Sequence, residues 1–377
     1  MQASDLLFLD AAIELAQRGL YSTTPNPRVG CVLVRDGGVI GRGWHRRAGG
    51  AHAEAAALAN AAESNQSVEG ATCYVSMEPC AHFGRTPPCA DALIAARIGR
   101  VVIASLDPNP KGTGGVERLR DAGIEVDVVE RPAARELNPG FFKRFAQSRP
   151  WVRVKIAASL DGATALASGE SKWITGEAAR ADVQYWRARS CAIVTGIGTV
   201  LADDPQLNVR ASEFAVDGIL RQPLRVVVDS RLRTPPAARV FEAPGEVLLA
   251  TAATTADRQD GGSAVVGRMP KTAAPAGAAT FVTGGSRVDL DALFGELARR
   301  GANEVLVEAG ATLTGEVFRV GLWDEAIVYV APKLLGRGAR PFADLSVGRL
   351  ADAIQGKIID VRMIGDDLRL QILRVDP

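Results

Sequence analysis

His52-Ala53-Glu54, then Glu78-Pro79-Cys80, then Pro87-Pro88-Cys89: these three short stretches decide how the first half of this 377-residue chain reads. His52 and Glu54 open an alanine-rich run, Ala53 to Ala62, with helical composition. Cys80 follows a strand-like run from Ala71 to Met77, and Cys89 comes just after a proline suited to the first turn of a helix. One imidazole and two thiolates form a three-ligand zinc site that leaves the fourth tetrahedral position to water. The positive end of the helix beginning at Pro88 favours a thiolate at Cys89. Glu54, two residues beyond the histidine, is placed to move that water's protons without binding the metal. His82, in the eight-residue insert between the cysteines, is a weaker rival to Cys89 as ligand; a contact to bound substrate or a place at the surface suits it as well.

This constellation resembles the zinc nucleobase-deaminase signature, in which the activated water attacks an amidine-like ring carbon and ammonia leaves. The general signature has two residues between its cysteines; here there are eight.

Elements alternate outward from that core. Asp5 to Gly19 carries Leu6, Leu9, Ile13 and Ala16 on one helical face. Val29 to Val34 and Val39 to Trp44, on either side of Asp36-Gly37-Gly38, read as a hairpin, so part of the sheet is expected to be antiparallel. Val101 to Ala104, Val116 to Asp121, Ile124 to Val129 and Pro132 to Arg144 continue the alternation, which implies a sheet covered on both faces. A boundary falls near Arg149-Pro150, giving domains 1–147 and 150–377. Beyond it, strands are expected at 151–157, 192–195, 225–229, 247–250, 304–308 and 326–330. Helices are expected at 177–189, 291–300 and 314–320, and a closing hairpin across Gly365-Asp366-Asp367. The Ala-, Gly-, Thr- and Pro-rich stretch from Thr251 to Ala278 reads as an irregular loop.

Composition narrows the function classes. A net charge of +1 without a run of like charges does not advertise a nucleic-acid partner. Five cysteines at irregular spacing argue against a disulfide scaffold and for a reducing compartment. No uncharged apolar run is long enough to cross a membrane, and no basic, apolar leader opens the chain, so a cytoplasmic protein is expected.

In the second half, Gly310-Ala311-Thr312-Leu313-Thr314-Gly315-Glu316 follows an apolar strand and opens a helix, where backbone N–H groups can approach a phosphate. It lacks the lysine of a nucleotide-hydrolase loop, so a dinucleotide pyrophosphate is the better guess. Thr195-Gly196-Ile197-Gly198-Thr199 has only two glycines and reads equally as a turn.

Thr24-Pro25-Asn26-Pro27-Arg28-Val29-Gly30, the complete 78–89 motif, Lys155 to Gly162, Ser171 to Thr175 and Val307 to Gly310 together resemble the bifunctional riboflavin-biosynthesis deaminase/reductase family over nearly the whole chain. The resemblance implies an α/β protein with an N-terminal cytidine-deaminase-like domain and a C-terminal dihydrofolate-reductase-like domain. It implies zinc-dependent deamination of a phosphoribosylaminopyrimidine, then NADPH reduction of its ribosyl group, in a homo-oligomer. His52, Cys80 and Cys89 would be the zinc ligands and Glu54 the proton shuttle. Asn26, His45 and Arg85 would contact the pyrimidine substrate; Arg85 stands where related sequences often carry lysine. Ala157, Trp173, Thr199, Asp203, Ser230 and Gly310 to Glu316 would line the NADPH site. Ser171, Arg187, Leu207, Arg210 and Glu308 would hold the reductase substrate. The competing reading is a single-activity zinc deaminase whose second half only scaffolds the first. No side chain stands out as the acid for the sugar oxygen.

Overall fold

In the computed structural model the described residues are 3–83, 87–252 and 278–375, and the chain divides into two compact units, Met1–Ser148 and Arg149–Pro377. The first has the order α1 (Ala3–Gln17), β1 (Gly30–Arg35), β2 (Gly38–Trp44), α2 (Ala53–Glu63), β3 (Thr72–Val75), α3 (Cys89–Ala95), β4 (Arg100–Ile103), α4 (Gly115–Asp121), β5 (Glu125–Val128), α5 (Pro132–Glu136) and α6 (Pro139–Gln147). Its sheet runs β2-β1-β3-β4-β5. β1 is antiparallel to β2 and β3, whereas β3, β4 and β5 are parallel.

Alternation along the strands buries both faces of this sheet. Cys31, Leu33, Cys73, Val75, Val101 and Ile103 pack with alanines of α2 and with Leu93 and Leu119 of α3 and α4. Val32, Val34, Tyr74 and Val102 pack with Leu9, Ala12 and Ile13 of α1 on the opposite face. Small residues let α2 lie close to the sheet: a Cβ on Gly43 would sit 2.3 Å from both Ala53 O and Ala57 N. That closeness sets the position of the helix start bearing His52 and Glu54.

The second unit contains β6 (Trp151–Ser159), β7 (Ala163–Ala165), α7 (Glu177–Arg189), β8 (Ala192–Gly196), α8 (Ile197–Asp203), β9 (Leu224–Val228), β10 (Val247–Ala252), β11 (Ala279–Thr283) and α9 (Leu290–Arg299). β12 (Glu304–Val307), α10 (Ala311–Arg319), β13 (Glu325–Ala331), β14 (Arg340–Pro341), β15 (Gly356–Ile364) and β16 (Asp367–Arg374) follow. The large sheet has the order β11-β10-β9-β8-β12-β6-β13-β16-β15. β11 through β13 in that order are all parallel, and the β15–β16 hairpin adds antiparallel strands at one side. Leu293, Phe294 and Leu297 of α9 and Val317 of α10 cover one face. Ala179, Val183 and Trp186 of α7 and Val200 of α8 cover the other.

The elements depart from the sequence reading in a few places. Asp289 caps α9 by accepting from the Asp291 and Ala292 N–H groups, so that helix starts at Leu290, one residue before the expected 291. α10 begins three residues earlier than expected, because Gly310 is already its N-cap. Thr195-Gly196-Ile197-Gly198-Thr199 is the passage from β8 into α8 rather than a plain turn. Most of the expected 251–278 loop lies outside the described residues. Among the described residues, no helix is long and apolar enough to cross a membrane.

Candidate active sites

In the first unit, the start of α2, the loop after β3 and the start of α3 meet at one point. His52 is the N-cap of α2, and Cys89 is the first residue of α3 behind Pro88. His52 Nδ1 lies 3.6 Å from Cys80 Sγ and 3.3 Å from Cys89 Sγ. A tetrahedral zinc holding one imidazole and two thiolates would set those N···S separations at about 3.5 Å, so the donor set fits the ion in both chemistry and spacing. The three donor atoms lie within 4.8 Å of one another, and His82, exposed at the rim, is not in the cluster.

The electrostatics suit a thiolate pair. The Cys89 side chain, burial and His52 act on Cys80; hydrogen bonds from Cys89 and His52 outweigh burial and hold its thiol down at about 4. The Cys89 backbone N–H also donates to Cys80 Sγ, at 3.4 Å. Cys89 is pushed the other way by the neighbouring sulfur and by burial, as expected where two thiols must share one proton. Glu54 is 3% exposed, and burial raises its carboxyl to about 7.

A cavity of about 380 Å³ opens over this point, lined among others by Asn26, His45, His52, Glu54 and Cys80. His45 Nδ1 donates to Ala51 O at 2.9 Å, leaving Nε2 to accept from the Asn26 amide at 3.0 Å. Burial lowers the His45 pKa, in keeping with that neutral tautomer. Sequence reasoning missed Asp107, Asn109, Phe141 and Arg144, which also line the cavity. Burial, with Glu78 and Cys80 adding to it, raises the Asp107 carboxyl to about 6. The Asp107-Pro108-Asn109-Pro110 run could have drawn attention to itself as a second proline-flanked polar loop resembling Pro25-Asn26-Pro27. Glu78 anchors it, accepting from the N–H groups of Asp107, Gly114, Gly115 and Val116 at 3.0 to 3.2 Å. Arg85 lies outside the described residues.

In the second unit, the parallel strands β6, β8, β9 and β12 end at one edge of the sheet, the edge at which open α/β sheets hold ligands. Glu308 follows β12 and meets Arg187 of α7 in a two-pronged pair, with Nε–Oε1 at 2.6 Å and Nη2–Oε2 at 2.8 Å. Burial opposes the Glu308 charge, but Arg187, Lys155 and Arg210 outweigh it and hold the carboxyl below its usual range. Arg187 Nη1 also donates to Asn208 O, which secures the segment that carries Leu207 and Arg210. Leu207 itself is buried with φ near +51°.

Thr199 Oγ1 accepts from the Gly310 N–H at 3.2 Å and so joins the starts of α8 and α10. Asp203 accepts from Ser171 Oγ at 3.5 Å and lies 3.8 Å from Lys172 Nζ. Ser230 Oγ accepts from the Val288 N–H, while Trp173 is largely exposed beneath the Arg180 guanidinium. Ala157 lies on β6 near its carboxyl end. Along the expected phosphate loop, Ala311, Thr312 and Leu313 form the first turn of α10. Thr314 and Gly315 point inward; a Cβ on Gly315 would sit 2.3 Å from Asp344 O. Glu316 pairs with Arg319 at 2.6 Å.

Lys155, on β6 beside Ala157, is a further group that sequence reasoning passed over, although it begins one of the quoted motifs. Burial lowers its amine; Glu308 and Asp203 pull the value back up and Arg187 pushes it down. No hydrogen bond or ion pair engages its ammonium among the described residues.

A zinc-type pyrimidine deaminase unit followed by an α/β reductase unit is the class that fold and sites define. The cytidine and deoxycytidylate deaminase zinc-binding region matches residues 2–105, and the RibD C-terminal domain matches residues 150–368. The riboflavin biosynthesis protein RibD of Escherichia coli is 45% identical, over 98% of this chain and 99% of its own length. A structure of Acinetobacter baumannii RibD is 44% identical with a TM-score of 0.87, covering 99% of both chains. A Thermotoga maritima diaminohydroxyphosphoribosylaminopyrimidine deaminase/5-amino-6-(5-phosphoribosylamino)uracil reductase is 32% identical with a TM-score of 0.85, over 98% of this chain and 99% of that one. The chain belongs to the RibD family of riboflavin biosynthesis proteins, bifunctional enzymes that join a deaminase to a reductase.

Proposed function

We propose that the first unit deaminates 2,5-diamino-6-(5-phosphoribosylamino)pyrimidin-4(3H)-one and that the second reduces the ribosyl group of the product to ribityl with NADPH. The observation that carries the reading is the convergence of His52, Cys80 and Cys89 beside a buried glutamate at the floor of a cavity. Zinc, when bound there, supplies a Lewis acid that makes water nucleophilic near neutral pH. Glu54 takes a proton from the water side and returns it to the departing amine, the work of a buried carboxyl raised to about 7. His45 holds Asn26 so that the amide oxygen, unused in their hydrogen bond, can accept from the pyrimidine edge. Arg144 and Arg85 are the cations for the ribose phosphate, while Asp107 and Asn109 face the ring and sugar polar groups.

At the second site NADPH, when bound, supplies the hydride. The N–H groups at the start of α10 would hold its pyrophosphate, and Thr199, Asp203, Ser230, Ala157 and Trp173 would hold the rest of the cofactor. Arg187 and Arg210 offer guanidinium groups to the substrate phosphate, and Glu308, held ionised, accepts from ribose hydroxyls. Lys155 stands among Glu308, Arg187 and Asp203 with a lowered pKa, which suits it to give a proton to the sugar oxygen as the ring opens. The enzyme works in the cytoplasm on these small molecules, as a homo-oligomer.

The test follows ammonia release and NADPH oxidation separately on the diaminopyrimidine substrate. Wild-type protein should do both. Glu54→Gln should keep its zinc, lose deamination by more than the roughly 10²–10⁴-fold of one acid–base group, and still oxidise NADPH with the deaminated substrate. Near-normal ammonia release from the zinc-loaded variant would overturn the assignment.

A further inference from the structure

Residues 205–210, which follow α8 and carry Leu207 and Arg210, belong to no helix or strand. Among the described residues, no backbone–backbone hydrogen bond reaches them. A stretch without such bonds is free to drift unless other groups satisfy and hold its backbone. Three side chains from elsewhere do so here. Gln222 Nε2 donates to Val209 O and its Oε1 accepts from the Val209 N–H, both at 2.9 Å. One amide thus meets both polar groups of one residue, as a neighbouring strand would. Gln184 Oε1 accepts from the Arg210 N–H at 2.8 Å, and Arg187 Nη1 donates to Asn208 O at 3.2 Å.

The anchors are themselves fixed. Gln184 and Arg187 lie three residues apart on α7 and so share one face of it. Arg221, the residue before Gln222, donates through Nη2 to Ala188 O and Ser190 O, each at 2.7 Å, and closes the carboxyl end of that helix. The stem of Gln222 packs on Gly245, where φ is +103° and an added Cβ would stand 3.1 Å from Gln222 Cβ. Arg221-Gln222, at the entry to β9, therefore grips both α7 and the 207–210 segment. Such a grip matters where like charges are brought together. Partial burial lowers the pKa of the otherwise exposed Arg210, and Arg187 adds to the effect against the pull of Glu308. Two cations held near one carboxylate repel each other until an anion arrives, and the segment's anchors bear that repulsion.

We propose that Gln222, with Gln184, is a positioning residue of the reductase. By clamping the backbone of Val209 and Arg210 it sets Arg210 near Arg187 as a two-guanidinium seat for the substrate's phosphate, and so sets the enzyme's preference for a phosphorylated ribose. The inference rests on the reading that Arg187 and Arg210 hold that phosphate, and adds the residues that make the pair specific. Neither glutamine acts on substrate directly. Their effect is geometric: a guanidinium already in place gives up less freedom on binding, and a misplacement of about 1 Å can cost on the order of 10²-fold. A substrate without its phosphate makes no use of the seat, so its reduction is indifferent to the clamp.

The experiment measures NADPH oxidation by the full-length protein with 5-amino-6-(5-phosphoribosylamino)uracil and with the same compound lacking its phosphate. Wild type should favour the phosphorylated form in kcat/KM and be inhibited competitively by inorganic phosphate. Gln222→Met, similar in length but unable to make either bond, should lose about 10-fold or more of that preference, through KM rather than kcat. The phosphate inhibition constant should rise in step. Its kcat/KM on the dephosphorylated compound, its KM for NADPH and its ammonia release should stay at wild-type values. Gln184→Met, which frees only the Arg210 N–H, should lose part of the preference and carries the test if Gln222→Met does not fold. A wild type indifferent to the phosphate overturns the reading of Arg187 and Arg210, and the clamp with it. A wild type that prefers the phosphate, beside variants that keep the full preference, leaves that reading standing and overturns the clamp. Variants that slow both compounds equally also overturn it, since they show a loss of fold rather than of position.

Discussion

His82 lies within the insert that Cys89 closes, and the structure separates the two by burial: Cys89 Sγ is 3.3 Å from His52 Nδ1, whereas His82 is exposed at the cavity rim. Metal analysis should therefore find most zinc lost from Cys89→Ala and retained in His82→Ala; the reverse result would reassign the third ligand. Lys155 bears a different expectation. Lys155→Met keeps the stem and removes the charge, so NADPH oxidation should fall by roughly 10²–10⁴-fold if the amine donates a proton. Ammonia release should stay near wild type, and Lys155→Arg should not restore the lost rate, since a guanidinium does not give up its proton near neutral pH. Recovery of reduction by Lys155→Arg would mean that charge alone matters at this position. His52, Glu54 and the cysteines were legible in the sequence because a metal demands particular atoms at particular spacings. Lys155 and Asp107 were not, because a lone lysine in a strand or an aspartate in a turn means little until its neighbours are known.

The α2 helix shows how an element converts packing into chemistry. Gly43 lets the helix approach β2 until the backbone atoms of Ala53 and Ala57 would touch any side chain placed there. Gly43→Ala should therefore push α2 outward, at a cost of about 1–3 kcal/mol from overpacking. Because His52 and Glu54 ride on that helix start, zinc affinity and deamination should fall together in this variant while NADPH oxidation with the deaminated substrate is unchanged. Thermal denaturation alongside zinc titration would check it, and full zinc affinity in a destabilised protein would show that the site does not depend on the helix position. The hairpins, the helix caps and the strand alternation were readable because turn residues and periodicity act locally. The start of α10 was read three residues late, since Gly310 looked like part of a loop until the backbone showed it capping the helix.

At the scale of the whole molecule, buried carboxylates tie the reductase unit's stability to pH. Glu325 accepts from Arg153 at 2.6 Å and from the Trp151 indole at 3.1 Å. Burial opposes its charge, and Arg153 and Arg189 outweigh that and hold its carboxyl below the usual range, as Arg187 and its neighbours do for Glu308. A depressed carboxyl contributes stability that is fully present above its unfolded value, about 4.3, and is lost as pH falls through its lower folded value. The unit's melting temperature should thus hold steady down to about pH 5 and drop steeply below about pH 4. Glu325→Gln should cost about 3 kcal/mol at pH 7, where a buried arginine loses a partner, and should make the acid drop shallower. An equally steep drop in the variant would place the acid sensitivity in other groups.

By itself, the amino-acid sequence determined the element order, the zinc donor set with its carboxylate, and the family of the chain. Each depends on residue identity and spacing along one chain: metal chemistry, turn chemistry and hydrophobic period are short-range rules. What only the tertiary structure decided depends on atoms brought together from far apart. Arg187 meets Glu308 across 121 positions, and Glu78 secures the loop from Asp107 to Val116 across nearly 30 to 38 positions. Lys155 becomes a candidate acid only because β6 and β12 are neighbours in the sheet. Whether a strand has a neighbour is settled by the order of the whole sheet, which no local pattern encodes.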